Sequence, residues 1–262
     1  MRVALVQLAY AESESLADRV ARVAGLVRQQ AGHDLVVLPE LWSAGGFSYR
    51  DWAQRAQSPD GEVATAMAAA AAEAGVVLHA GSVVERSREP GPEGRWLWNT
   101  ALVFDRDGSQ VASYRKIHRF GFAEGEPALM EAGADIVVAD LLGTRVGLST
   151  CYDLRFPELY RAQLDRGAHV FVIPAAWPAA RVGHWTLLAR ARAVENQCLV
   201  LACNTAGTHA GVEMGGRSLV VAADGKVLAE AGGQQEVLSA EVDLAAVESY
   251  RQSFPVLRDR RL

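Results

Sequence analysis

Gly147-Leu-Ser-Thr-Cys151-Tyr-Asp-Leu-Arg-Phe-Pro-Glu158 is the stretch around which the chain is organised. Val146 to Ser149 is a largely apolar run that reads as a buried strand and delivers Cys151 to its end. Pro157 then starts a helical pattern through Leu159 and Leu164. A thiol at a strand-to-helix junction sits beside free backbone N–H groups and the positive end of a helix dipole. Both favour the thiolate and can stabilise an oxyanion. A lone cysteine is as often a small buried hydrophobe, so the local residues leave packing and chemistry in balance.

A chain of 262 residues suffices for one large domain, and no linker obliges a split, so 1–262 is expected to fold as a unit. A net charge of −5 argues against a nucleic-acid binder, which would carry a basic face. Three cysteines in no short paired spacing suggest neither a disulfide framework nor a zinc site. The N-terminal apolar run is too short for a signal peptide, and no later run could span a bilayer. A cytoplasmic protein without membrane contact, metal or cofactor is the expectation.

Arg2 to Leu8 reads as a strand, followed by a helix with apolar face Leu16, Val20, Val23 and Val27, capped by Ser13 or Ser15. Asp34-Leu-Val-Val-Leu-Pro-Glu40 is a buried strand ending on a carboxylate, which taken alone reads as a solvated loop residue. Glu62 to Gly75 is helix and Val76 to Ser82 strand. Leu97 to Phe104 and Gln110 to Tyr114 form a hairpin about Asp105-Arg-Asp-Gly108. Tyr114-Arg-Lys-Ile-His118 follows, then an acidic loop from Phe120 to Gly133.

Val137 to Leu142 and Thr144 to Thr150 are strands about Gly143. Beyond the cysteine, Leu159 to Gly167 is helix, His169 to Pro174 strand, Thr186 to Gln197 helix and Cys198 to Asn204 strand. A second hairpin spans Arg217 to Ala229, Val237 to Val242 is a strand, Asp243 caps a short helix to Arg251, and the tail from Phe254 is charged and extended. The order implies an α/β domain of two related halves with helices on the outer faces. Glu40, Lys116 and Cys151 each end a β segment, and α/β folds gather ligands at strand ends.

Three pieces, Leu38-Pro39-Glu40, Tyr114-Arg-Lys-Ile-His118 and Cys151-Tyr-Asp-Leu-Arg-Phe-Pro-Glu158, together resemble the carbon–nitrogen hydrolase (nitrilase) superfamily over essentially the whole chain. The resemblance implies a four-layer α-β-β-α sandwich with Glu40, Lys116 and Cys151 as catalytic triad. It also implies pairing into a homodimer or higher homo-oligomer, with the C-terminal segment, about 243–262, at the interface. Many members carry a second glutamate after the lysine. Glu126, seven residues before Gly133, matches that place best; Glu124 is the alternative, and Glu131 reads as a solvated loop residue.

The residue types suit amide hydrolysis in their own right. Cys151 can attack a carbonyl, Glu40 can shuttle the proton, and Lys116 with the Tyr152 backbone N–H can hold the oxyanion. A lysine beside the sulfur lowers its pKa and a glutamate raises it, so the group titrates as a coupled set.

Tyr152, Arg155 and Trp177 are expected to bind substrate. A guanidinium matches a substrate carboxylate, and an ion pair with Asp153 or Glu158 is the competing role for Arg155. Asp153 is expected to hold the turn through backbone N–H groups. Trp42, Phe47 and Tyr49 suit either a lid or packing.

The wording of the cysteine motif resembles the ω-amidase branch, which cleaves the terminal amide of small carboxylates to release ammonia. A carbamoylase or nitrilase is the alternative within the family. A Cys151–His118 peptidase or transamidase is the alternative outside it, and a non-catalytic binding protein gains nothing from the triad.

Overall fold

The central strands are set by runs of apolar residues with no polar alternation, which require cover on both faces. The computed structural model describes residues 1–122 and 124–261. Its first half contains β1 (Arg2–Gln7), α1 (Leu16–Arg28), β2 (Leu35–Val37), α2 (Trp52–Arg55), α3 (Glu62–Ala74), β3 (Val77–Arg86), β4 (Leu97–Phe104), β5 (Gln110–Arg115) and α4 (Glu126–Leu129). The second contains β6 (Val138–Leu141), β7 (Thr144–Leu148), α5 (Pro157–Asp165), β8 (Val170–Pro174), α6 (Val182–Asn196) and β9 (Leu199–Cys203). It closes with β10 (Thr208–His209), β11 (Val212–Glu213), β12 (Leu219–Val221), β13 (Val227–Glu230), β14 (Glu236–Glu241) and α7 (Ala245–Ser253).

Two six-stranded sheets form, in the orders β14-β1-β2-β3-β4-β5 and β13-β12-β9-β8-β7-β6. Each has a central parallel trio, β1-β2-β3 and β7-β8-β9, with antiparallel neighbours on both flanks. The two related halves expected from the element order are therefore visible in the pairing. The last strand, β14, returns to the first sheet and takes beside β1 the place that β6 takes beside β7.

Three apolar clusters define the layers. Val20, Val23 and Val27 of α1 and Val63, Met67 and Ala70 of α3 cover the outer face of the first sheet. Leu5, Val37, Leu148, Val172 and Leu201 fill the space between the sheets. Leu159, Tyr160, Trp185 and Ala189 cover the outer face of the second. This is the expected four-layer α-β-β-α sandwich. Ser15 caps α1 by accepting the Asp18 N–H, and Gly75 ends α3 at φ 65°, where only glycine is unstrained.

Several boundaries differ from the sequence reading. Helix α6 begins at Val182 rather than Thr186; its first turn has no side-chain cap and so no local signal. The 120–133 loop contains the short helix α4. The tail is not extended: Val256–Asp259 forms a 3-10 turn, and the C-terminal segment lies against its own chain. Arg251 donates to Gln197 O and Ala168 O, Gln197 Nε2 to Phe254 O, and Arg260 pairs with Asp165.

Candidate active site

Four residues from different elements meet where the parallel trios end. Glu40 lies three residues past β2, beyond Pro39, and is 4% exposed rather than solvated. Its Oε1 accepts from Lys116 Nζ at 2.8 Å and Asn99 Nδ2 at 2.8 Å, and its Oε2 from the Ala176 N–H at 2.9 Å. Lys116 follows β5; its backbone N–H donates to Asn99 O and its carbonyl accepts from Gly133 N. Glu126, the first residue of α4, accepts Lys116 Nζ at 2.7 Å on Oε2 and Asn99 Nδ2 at 2.6 Å on Oε1.

Glu124 is exposed, so the structure puts Glu126 and not Glu124 beside the lysine. The glycine of the motif around residue 133 has a visible cause, since a Cβ there would stand 2.0 Å from Arg115 O. Glu131 is a correction. It is buried, and its Oε1 accepts the backbone N–H groups of Glu93 and Arg95, so it holds the 91–95 turn.

Cys151 opens a 3-10 turn, Cys151–Arg155, that intervenes between β7 and α5. Its φ of +48° and the +46° of Leu41, next to Glu40, place both in the left-handed region. Such backbone costs on the order of 1–2 kcal/mol per non-glycine residue and here flanks the two groups that must meet. Asp153 fixes the turn, accepting Thr150 N–H and Tyr114 Oη–H on Oδ2 and His118 N–H on Oδ1. His118 also sets its Nδ1 2.8 Å from Asp153 and stacks on Phe156 at 3.8 Å, so one ring nitrogen and one ring face are already engaged.

The electrostatics depart from the sequence expectation of a favoured thiolate. Burial, and then the Glu40 charge, push the Cys151 thiol well above its usual range, and the opposing pull of Lys116 is not enough. Burial also opposes the charge on Lys116, but Glu126 and Glu40 outweigh it and raise the ammonium well above its ordinary value. Burial raises Glu126; Lys116 lowers it and Glu40 raises it, with a net upward shift.

Tyr152, Arg155 and Trp177 line a narrow cleft with Cys151 and Arg181, adjoining one that holds Glu40, Lys116 and Glu126. A larger hollow lies across the 47–51 loop, and its lining includes no cysteine. Arg155 does not pair with Asp153 or Glu158. Its guanidinium sits 4.6 Å from the Trp177 ring centroid and 3.5 Å from His184 Nδ1. Phe47 and Tyr49 wall the cavities, whereas Trp42 is core, donating to Ala80 O. Cys198 and Cys203 are buried in and beside β9.

Asn99 and Arg181 escaped the sequence reading. Asn99 sits inside an apolar strand, and only the sheet register aims it at the carboxylates. For Arg181 the one available signal was its position shortly after Trp177.

The carbon-nitrogen hydrolase family model matches residues 2–252. A 2-oxoglutaramate amidase of Paenarthrobacter nicotinovorans is 46% identical, over 99% of this chain and 89% of that protein. An omega-amidase of Homo sapiens is 33% identical, over 99% and 95%. A solved CN-hydrolase superfamily protein of Xanthomonas campestris, with an arsenic adduct in its active site, superposes with a TM-score of 0.90 at 30% identity, covering 100% of this chain and 97% of that one. With the site geometry and a match across nearly its full length, the chain belongs to the carbon–nitrogen hydrolase family.

Proposed function

We propose that the protein is an ω-amidase-like amidohydrolase: it cleaves the terminal amide of a small carboxylate-bearing molecule through a thioester on Cys151, releasing ammonia. The observation that carries this is the state of Lys116. An ammonium has three N–H donors, and two are spent on Glu40 and Glu126. The third is left for an oxyanion formed at Cys151, whose thiol lies against Glu40.

In this mechanism the thiol proton passes to Glu40 as Cys151 Sγ attacks the amide carbon. The raised thiol pKa means that proton is still present at rest, so the base is needed. The oxyanion is held by Lys116 Nζ and the Tyr152 N–H, which as the second residue of a 3-10 turn has no intrahelical acceptor. Each donor is worth about 2.7–4 kcal/mol in the transition state. Collapse breaks the C–N bond, Glu40 gives its proton to the nitrogen, and ammonia leaves. Glu40 then takes a proton from water as the water oxygen attacks the thioester. Cleavage of the C–S bond frees the acid, and the proton returns to sulfur.

The carboxylate preference is supported by two arginines at the mouth. Among the described residues neither Arg155 nor Arg181 forms an ion pair; Arg181 lies over the Phe120 ring, 5.5 Å from its centroid. The relatives named for 2-oxoglutaramate and ω-amides support the same reading. A thiol nucleophile also suits the reducing cytoplasm. A homodimer is supported by the exposed apolar side chains Leu187 and Val194 of α6 and Phe254 of the C-terminal segment.

The test is ammonia release from ω-amides of carboxylic acids, neutral amides, carbamoyl compounds and nitriles. Carboxylated amides are expected to turn over fastest, and Cys151→Ala to release none. Turnover by Cys151→Ala, or a preference for nitriles or carbamoyl compounds, overturns the proposal. Arg155→Ala and Arg181→Ala are expected to lose at least tenfold on carboxylated amides and little on neutral ones. Equal losses on both remove the carboxylate from the reading.

A further inference from the structure

Asn99 is 3% exposed and reaches both acidic residues of the site from β4. One Nδ2 hydrogen goes to Glu40 Oε1 at 2.8 Å and the other to Glu126 Oε1 at 2.6 Å. Its Oδ1, equally enclosed, has no hydrogen-bond partner among the described residues. An orphaned buried carbonyl is costly, and two hydrogen bonds to charged acceptors more than offset it. The reverse orientation would point Oδ1 at two groups that, when ionised, only accept. So the side chain's orientation is decided by the anions it faces.

The charge count explains the need. Two carboxylates face one ammonium in a buried space, leaving one negative charge in excess. Proton uptake would relieve it, and would also remove the base that the thiol requires. A neutral donor reaching both carboxylates opposes that uptake without adding a titrating group.

We propose that Asn99 is a positioning residue that clamps Glu40 and Glu126 together as an ionised pair, keeping Glu40 free to accept the Cys151 proton. The proposal rests on the reading of Glu40 as general base. Asn99 acts through the carboxylates that are its hydrogen-bond partners and exchanges no proton itself. Its bond to Glu126 acts against the upward push of burial and of Glu40. Lys116, Cys151, Tyr49 and Tyr10 are the other titratable groups facing the pair. Burial raises both tyrosines, Tyr49 to about 12, so they stay neutral through the working pH range.

The test compares wild type with Asn99→Leu, which keeps the volume and removes both donors, and Asn99→Asp, which replaces them with a third carboxylate. Two readouts are taken across pH 5–9: kcat/KM for amide hydrolysis, and the rate of Cys151 alkylation by iodoacetamide, followed by mass spectrometry. For Asn99→Leu the acid limb of both profiles is expected to move up by about one pH unit, because losing donors favours protonated carboxylates. Asn99→Asp should move further up and lose about a hundredfold or more at pH 7.

If Asn99→Leu fails to fold, Asn99→Ser, with one small donor in place of two, carries the same expected direction. Uniform losses at every pH with an unmoved acid limb overturn the proposal and leave Asn99 a packing role. If wild type releases no ammonia from any amide yet the alkylation limb shifts in the variants, the amidase reading fails and the clamp stands.

Discussion

Lys116 holds Glu126 as closely as it holds Glu40, 2.7 Å against 2.8 Å, and all three are almost fully buried. A site with two acids on one base depends on that base. Lys116→Met leaves two buried carboxylates facing each other, and removing one partner of a buried ionic set typically costs about 3–5 kcal/mol. The double variant Lys116→Met/Glu126→Gln removes the repulsion, so urea denaturation at pH 7 should find it more stable than the single variant. Both should be inactive. Equal stabilities would show that the Lys116–Glu126 contact contributes nothing.

The thiol gives a pH prediction of definite sign. The folded-state pKa of Cys151 is raised, so its contribution to stability is complete below the unfolded value, about 8.5, and is lost as pH rises above it. By pH 10 the loss is about 2 kcal/mol, at about 1.4 kcal/mol per unit. Cys151→Ala lacks this component. Measured by urea unfolding at pH 7 and pH 10, wild type should lose about 2 kcal/mol more than the variant. The same loss in both would mean the thiol is not held protonated.

His118 separates two chemistries. Its Nδ1 is engaged by Asp153 and its ring by Phe156, which leaves it structural in the mechanism proposed here. His118→Ala should keep turnover within about tenfold of wild type, while Lys116→Ala abolishes it. A Cys–His enzyme would lose at least about a hundredfold with the histidine and tolerate the lysine change.

The layers were legible in the sequence because uninterrupted runs such as Val170–Pro174 and Leu199–Cys203 have few folds open to them besides a doubly covered sheet. The approach of Glu40, Lys116 and Cys151 was foreshadowed by their places at β ends, and Glu126 by its distance from Gly133. Glu131 was misread because its partners, the N–H groups of Glu93 and Arg95, lie in a remote turn. Asn99 was invisible for a similar reason. Between Trp98 and Thr100 it is one residue of a strand, and its meaning comes from pairing that sets its carbonyl on Lys116 N. The thiol pKa was misjudged because burial, its largest cause, cannot be read from which charges stand nearby.

The position of Glu40 depends on a glycine in the neighbouring strand. The β3–β4 register shifts between His79 and Ser82, and at that bulge Gly81 takes φ +67°. There Pro39 O comes so close that a Cβ on residue 81 would stand 1.9 Å from it, and Ser82 Oγ accepts the Leu41 N–H. Gly75 ends α3 at a similar φ, +65°, and a methyl group there would meet nothing within 4 Å among the described residues. Gly75→Ala should therefore cost only the backbone strain, about 1 kcal/mol, and leave activity intact. Gly81→Ala adds a clash with backbone that can be relieved only by moving the Pro39–Glu40 segment. It should destabilise by at least about 2 kcal/mol more than Gly75→Ala and cut turnover by about tenfold or more. Urea unfolding and ammonia release on the two variants side by side decide it: matching stabilities would mean the bulge has room to adjust, and the Glu40 carboxylate is then placed by its hydrogen bonds alone.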